Sequence, residues 1–254
     1  MTIATTIQSE LLKTKRTASL YLTFIAGAFG PLMSMLELLL DGVKAEERQV
    51  ILTKIFTSKF EATGFLLFPM FTILICTLLP QIEYKNNAWK QVLTSPQSKA
   101  NIFIAKFVNV HLLIFLFLIA NQLCMLIVAV VLHFAQPSLN VLGQSLDGAS
   151  AFSTVANSYV TILAMSALQF WMGLRFRNFI LPIAVGISCW FIGSLMVMEW
   201  KPGFERYFPY SFHVYSSIHN IKEQVEEVKW TSVYYTAVVL ILGFLDFRRK
   251  RFNA

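Results

Sequence analysis

Six long apolar runs constrain this chain more than any other feature of its sequence. A helix needs about 20 mostly apolar residues to cross the hydrocarbon core of a bilayer. Only 14% of the 254 residues are charged and 56% are hydrophobic, whereas soluble domains carry about 25% charged residues. The chain is therefore predicted to be an all-α integral membrane protein. The predicted spans are residues 19–40, 62–82, 104–133, 159–176, 179–198 and 231–247.

Residues 1–254 are predicted to form a single transmembrane domain. The longest stretch between two predicted spans, residues 199–230, is shorter than the roughly 50 residues that an independent domain needs. The fourth and fifth spans are separated only by Arg177 and Asn178, which predicts a tight hairpin.

The distribution of Lys and Arg predicts which way the spans run. If both termini are cytoplasmic, thirteen of the 21 basic residues lie on the cytoplasmic side and eight on the other side. Cytoplasmic loops of membrane proteins carry an excess of Lys and Arg, so both termini are predicted to be cytoplasmic. This topology accounts for the net charge of +7. The expected surrounding partner is the lipid bilayer, and no nucleic acid is expected.

Two amphipathic stretches lie outside the predicted spans. At the N-terminus, apolar residues recur every four positions, which predicts a helix lying in the cytoplasmic interface. Between the fifth and sixth spans, the aromatic segment "GFERYFPYSF" favours the membrane–water interface, and a helix on the outer surface is predicted after it. The apolar residues are Ile3, Ile7 and Leu11 in the first stretch, and Val214, Ile218, Ile221, Val225 and Val228 in the second.

A polar and basic segment, residues 83–107, separates the second and third spans. Asn86 or Asn87 is suited to begin a short helix there, and a proline at position 96 ends it, because the residue before a proline avoids helical geometry. Two interpretations are open: the apolar face of this helix is an exposed surface for a soluble partner, or its tryptophan anchors the segment among the headgroups. That face holds Trp89, Val92 and Leu93, and Lys85 and Lys90 lie beside it.

No pattern of catalytic or metal-binding residues is evident. Gly143 and Gly148 have the spacing of a phosphate-binding loop, but Ala149 occupies the position where that loop needs a lysine. The histidines do not cluster, and the cysteines lack the spacing of zinc or redox motifs. His111 is the only candidate base predicted to be buried in a span. The chain is therefore expected to bind no cofactor or metal and to catalyse no reaction by itself.

Four uncharged polar residues fall within the predicted spans. They either bridge neighbouring helices through hydrogen bonds or line a path for a substrate. These residues are Asn109, Asn121, Gln122 and Gln169.

Residues 83–107 resemble the equivalent segment of ABC-2 type transporter permeases. The resemblance consists of an acidic Glu83, the string "NNAWKQVLTSP", and then Lys99 and Lys106. Six spans, an N-terminal interfacial helix and an elaborated outer segment are also similar to that family. Where the family often has Gly or Thr, this chain has Ala88 and Trp89.

This resemblance implies a permease of a bacterial inner membrane that does not hydrolyse ATP itself. Two permease subunits, identical or different, would work with two separate ATPase subunits that hold ATP and Mg²⁺, and a coupling helix would seat on the ATPase. The short chain is similar to the subgroup that exports lantibiotics or gives immunity to bacteriocins; the substrate would be an amphipathic peptide, a drug or a lipid. The residues expected at the ATPase contact are Glu83, Tyr84, Lys85, Asn87, Trp89, Lys90, Val92, Leu93 and Pro96.

Two other functions remain open from the sequence. The chain is alternatively a structural or regulatory membrane subunit of a larger complex that transports nothing, or a membrane enzyme that uses His111 or acidic residues of the outer loops.

Overall fold

The computed structural model describes residues 2–15, 17–94, 97–218 and 224–250. The regular secondary structure of this part is entirely helical, and six helices in it are long and apolar enough to cross a membrane. The predicted all-α membrane fold is confirmed. The helices are α1 (Ile3–Lys15), α2 (Ala18–Leu40), α3 (Ile51–Lys85, with a π-helical turn at Ile55–Lys59), α4 (Trp89–Thr94), α5 (Lys99–Ala135), α6 (Gly148–Arg175), α7 (Ile180–Trp200, ending in a π-helical turn at Met196–Trp200), α8 (Phe212–Ser217) and α9 (Val225–Arg249).

Several spans extend beyond the apolar runs that predicted them. Apolar composition marks only the part of a helix in hydrocarbon, whereas the backbone ladder continues until a cap or a turn ends it. The side chain of Ser98 accepts a hydrogen bond from the Asn101 amide at 3.1 Å, and Asp147 accepts one from the Ser150 amide at 3.0 Å. These two N-caps set the starts of α5 and α6.

The bundle is built around α3, α5 and α6. Helix α2 packs on α5 and α3, α6 packs on α3, and α9 packs on α6. At the centre, the ring of Phe117 from α5 stacks on Phe68 and Phe71 from α3, with centroid distances of 5.4 Å and 4.5 Å. Helices α3 and α6 approach closely at Gly173, where a Cβ atom would lie 2.7 Å from the backbone oxygen of Cys76.

Helix α1 lies where the amphipathic pattern predicted a helix, but its polar face is the one that packs against the bundle. Thr6, Glu10 and Thr14 are buried against α5, whereas Ile3 and Leu11 are exposed at the protein surface. An interfacial helix with its apolar stripe toward lipid and its polar stripe toward protein satisfies both neighbours.

The segment between the fifth and sixth spans differs from the prediction. The expected outer helix ends at Ser217, because Ile218 is extended, and Ile221 lies outside the described residues. Helix α8 is buried against α3, α6 and α9 rather than lying on the surface. Val225 and Val228 belong to the first turn of α9. The aromatic segment therefore leads into a short helix that enters the bundle.

One end of the bundle gathers the first described helix and the end of the last one. Here α1, α4, the loop between α6 and α7, and the end of α9 meet, as the contact of Lys13 with Glu83 and that of Lys250 with the Arg175 carbonyl show. This end is called the basic end below. The opposite end holds the α2–α3 and α5–α6 connections, where Lys59 pairs with Glu37 at 2.6 Å.

Candidate functional site

Asn87 turns the chain from α3 into α4 at the basic end. It has a φ of +50°, in the left-handed region. Its amide donates to the Tyr84 carbonyl at 3.3 Å, and the Ala88 amide donates to the Glu83 carbonyl at 2.8 Å. This pair of bonds is the Schellman arrangement that closes a helix. Asn87 thus ends α3; the expectation that an asparagine begins α4 is wrong, because the Ala88 carbonyl accepts the first bond of α4 from Val92.

Trp89 attaches α4 to the bundle. Its side chain is only 4% exposed. Its ring packs on Tyr84 at 5.4 Å and on Phe247 at 5.8 Å, between centroids. The expectation that Trp89 forms an exposed knob is therefore wrong, and so is its placement among the headgroups. A short helix at the end of a span can bury its apolar face against the ends of neighbouring spans, and α4 does so.

Four charged side chains form an ion cluster directly beneath α4. The Lys106 ammonium lies 2.5 Å from Glu83 Oε1 and 2.9 Å from Glu10 Oε2. Lys13 bridges the same two acids, at 2.6 Å from Glu10 and 3.2 Å from Glu83. The ring of Trp89 covers the Lys106 ammonium, with its centroid 5.5 Å away. The cluster links α1, α3, α4 and α5, and its formal charges cancel.

Burial makes the charges of this cluster depend on one another. Glu83, Lys106 and Glu10 are 2%, 4% and 6% exposed, so each charge depends on its partners rather than on water. Burial raises the pKa of Glu10, but Lys106 and Lys13 outweigh it and hold that pKa below its ordinary value. Burial likewise lowers the pKa of Lys13, but Glu10 and Glu83 raise it further than burial lowers it. Both residues are therefore charged at neutral pH.

The C-terminal end of α9 is joined to the same region. The Lys250 ammonium donates to the Tyr84 hydroxyl at 2.5 Å and to the Leu174 and Arg175 carbonyls at 2.9 Å and 2.7 Å. Those carbonyls lie at the end of α6, where cations are favoured. Burial, with a smaller contribution from Arg175, lowers the pKa of Lys250 to about 8 against the opposing effect of Asp246.

Of the remaining predicted residues of the segment, Lys85 is exposed in the last turn of α3 and Val92 is partly buried against the core. Gln91 and Thr94, which were not predicted as site residues, are exposed on α4. The side chains of Lys90 and Leu93, and the whole of Pro96, lie outside the described residues.

Three of the four polar residues predicted in the spans bridge helices. Asn109 donates to the Thr14 hydroxyl at 2.7 Å and so ties α5 to α1. Asn121 donates to the Gly27 carbonyl of α2 at 3.1 Å. Gln169 donates to the Thr77 hydroxyl at 3.0 Å and to the carbonyl of residue 182 at 2.7 Å. Hydrogen bonds of this kind hold membrane helices together.

Gln122 is placed differently from the other three. It lines a cavity of about 610 Å³ between α5 and α6 whose other walls are apolar except for Tyr159, and Phe115, Leu123 and Phe152 are among them. Its side-chain nitrogen has no hydrogen-bond partner among the described residues. A predominantly apolar cavity with few polar groups is typical of sites that bind hydrophobic molecules.

His111 lies between two hydroxyl groups. Its Nδ1 is 3.1 Å from the Tyr159 hydroxyl and its Nε2 is 3.3 Å from that of Ser166. These contacts connect α5 with α6. In the described ranges, no group of three or more His, Cys, Asp or Glu side chains is placed to hold a metal ion.

A family model for ABC-2 family transporter proteins matches residues 6–193. The chain belongs to this family. The match runs from α1 into α7 and includes the ion cluster and α4. An ABC-2 permease is a multi-pass, non-catalytic membrane subunit that generally works with an ABC ATPase. Comparison with curated proteins and with solved structures gives no match.

Residues 83–107, which the sequence singled out in this ABC-2 permease, contribute α4 and two of the four charges of the ion cluster, but the cluster itself was not predicted. Glu10, Lys13 and the contact role of Lys106 were not predicted, because Lys106 is 96 residues from Glu10 along the chain. A signal was present in α1, where Thr6, Glu10 and Thr14 recur every four residues. A polar stripe opposite an apolar stripe on an interfacial helix indicates a protein-facing side.

Proposed function

We propose that this chain is the permease half of an ATP-driven exporter, and that a separate ABC ATPase docks on α4 at the basic end. The observation that supports this proposal most is the way α4 is held. Trp89 is buried against the bundle and covers the ion cluster, while Gln91 and Thr94 are exposed. A docking helix must be accessible on one side and firmly held on the other. Since the buried side is occupied, the ATPase would contact the solvent side.

The ATPase subunits would hold ATP and Mg²⁺, and a second permease subunit, identical or different, would complete the path. The excess of Lys and Arg supports a cytoplasmic location for the basic end, in a bacterial inner membrane. Glu83, Tyr84 and Asn87 would then position the docking helix, Lys85 would flank it, and Lys90 is part of the helix itself.

The proposed substrate is an amphipathic or hydrophobic molecule: a peptide such as a lantibiotic, a drug or a lipid. The apolar cavity beside Gln122 supports this class, because its walls offer much contact surface and few polar groups. Stimulation of ATP hydrolysis in the reconstituted complex, measured over candidates from each class, would identify the substrate.

The docking proposal is tested by adding negative charge to the solvent side of α4. The permease carrying both Gln91→Glu and Thr94→Glu is co-expressed with the ABC ATPases of the same genome, and the amount that co-purifies is measured. A matched control carries Gln49→Glu and Ser138→Glu, which are exposed at the opposite end. We expect the first variant to lose its ATPase and the control to retain it. Equal retention by both variants would rule out docking on this face.

A further inference from the structure

A second cavity, distinct from the one beside Gln122, lies at the basic end between the end of α3 and the α6–α7 loop. It is separate from the solvent side of α4. Its volume is about 610 Å³, within the range of sites that hold small ligands. The loop is fixed against α3: the Gln81 amide donates to the Phe176 carbonyl at 2.8 Å, and the Tyr84 hydroxyl donates to the Leu174 carbonyl at 2.7 Å. The cavity is thus a feature of the packed bundle.

The charged groups that line this cavity are all positive. Lys85 and Arg177 belong to its wall, and no carboxylate does. Neither side chain has an ion-pair or hydrogen-bond partner in the described ranges. Two acids at the basic end are engaged elsewhere, because Glu83 bonds Lys106 and Lys13, and Asp246 bonds Arg175 at 3.0 Å. Two cations without a partner favour an anionic ligand.

The remaining walls favour a lipid over a soluble anion. Leu78 and Ile82 lie one to two turns inside the span from Lys85, and Phe179, at the start of α7, is about half exposed. The cations therefore stand at the ends of the spans, and an apolar surface leads from them toward the hydrocarbon. A phospholipid has the same order of groups, an anionic phosphate followed by acyl chains.

We propose that this cavity binds an anionic phospholipid. Its phosphate lies between Lys85 and Arg177, and an acyl chain follows Leu78, Ile82 and Phe179. Basic pockets between membrane helices bind anionic headgroups in this way. The proposal concerns a lipid site and does not depend on which ATPase the permease binds.

The test is a lipid titration of the purified full-length chain, followed by native mass spectrometry. Phosphatidylglycerol and phosphatidylcholine with identical acyl chains are compared, and inorganic phosphate is added as a competitor. We expect preferential binding of phosphatidylglycerol. The variant with Lys85→Gln and Arg177→Gln should weaken this binding roughly thirtyfold, which corresponds to about 1 kcal/mol for each cation, and should leave phosphatidylcholine binding unchanged.

Two controls separate this site from general charge effects. A variant with Lys44→Gln and Arg48→Gln loses two exposed cations at the opposite end and should bind phosphatidylglycerol like the parent. The charge-conserving variant with Lys85→Arg and Arg177→Lys should retain most of the binding.

Three results would overturn the proposal. The first is equal phosphatidylglycerol binding by the parent and the variant with Lys85→Gln and Arg177→Gln. The second is displacement of the lipid by millimolar inorganic phosphate, which would indicate a site for a free anion. The third is unchanged lipid binding with loss of ATPase co-purification in that variant, which would assign the cavity to a protein partner.

Discussion

Replacing Lys106 with methionine tests whether the ion cluster holds the basic end together. Lys106 is 4% exposed and contacts both buried carboxylates. Without it, Glu10 and Glu83 share only Lys13, whose side chain is 37% exposed. Removing one partner of a buried ion pair costs about 3–5 kcal/mol, because the remaining charge is uncompensated. We therefore expect Lys106→Met to lower the free energy of unfolding by about that amount, a factor of roughly one hundred to several thousand in the equilibrium constant.

The measurement is equilibrium unfolding of the purified permease in mixed micelles. Adding Glu83→Gln to Lys106→Met should recover part of the loss, since it removes one of the stranded charges, so the two substitutions should not be additive. Lys15→Met, an exposed position on α1, is the control and should change stability by less than about 0.5 kcal/mol. The reasoning is refuted if Lys106→Met behaves like Lys15→Met, or if Glu83→Gln adds its full cost to the double variant.

Three further outcomes follow from the contacts at the basic end and between the spans. The docking of α1 should be independent of pH between the ordinary pKa values of Glu10 and Lys13, 4.5 and 10.5. The ion pairs of Glu10, whose pKa is lowered, stabilise the docked helix fully above pH 4.5, and this stabilisation is lost as the pH falls through the lowered pKa. The ion pairs of Lys13, whose pKa is raised, stabilise the docked helix fully below pH 10.5, and this stabilisation is lost as the pH rises through the raised pKa. A large change near pH 7 in the mobility of a spin label on α1 would contradict this prediction. Gly173→Ala should destabilise the permease by about 1–3 kcal/mol, because the new Cβ would lie 2.7 Å from the backbone oxygen of Cys76 in α3. A Cβ at Gly64 would have nothing within 4 Å, so Gly64→Ala should be neutral or stabilise by up to about 1 kcal/mol, because alanine is the better helix former. Equal unfolding midpoints for the two variants would refute the close approach. Trp89→Ala should cost about 3–5 kcal/mol and increase hydrogen exchange across α4, whereas an unchanged exchange rate would show that the indole does not hold this helix.

The spans were predictable because each prediction averages over many residues. About 20 apolar side chains decide whether a segment lies in hydrocarbon, so no single neighbour changes the result. The ends of the same helices were less predictable, since they depend on individual bonds. The start of α5 at Lys99 requires the Ser98 hydroxyl to meet the Asn101 amide, which no hydropathy average contains.

The candidate site was predictable only in part, for a related reason. Spacing placed Trp89 and Val92 on one face of a short helix, and this agrees with the structure. Spacing does not determine what that face meets, and here it meets Tyr84 and Phe247, which arrive from α3 and α9. The direction in which α4 leaves α3 depends on the left-handed conformation of Asn87, a backbone feature that the sequence permits but does not require.

The way α4 is held determines how a force applied to it would spread through an ABC-2 permease. Trp89 packs on side chains from α3 and α9, and it covers Lys106 of α5. Lys106 in turn bonds α1 through Glu10. A push on α4 therefore acts on α1, α3, α5 and α9 together, because bending α4 alone would expose the indole and separate buried charges. In contrast, none of the four charged residues of the cluster belongs to α2 or α7. A displacement of α4 would therefore move α1, α3, α5 and α9 together, and α2 is joined to α5 through the bond from Asn121 to the Gly27 carbonyl.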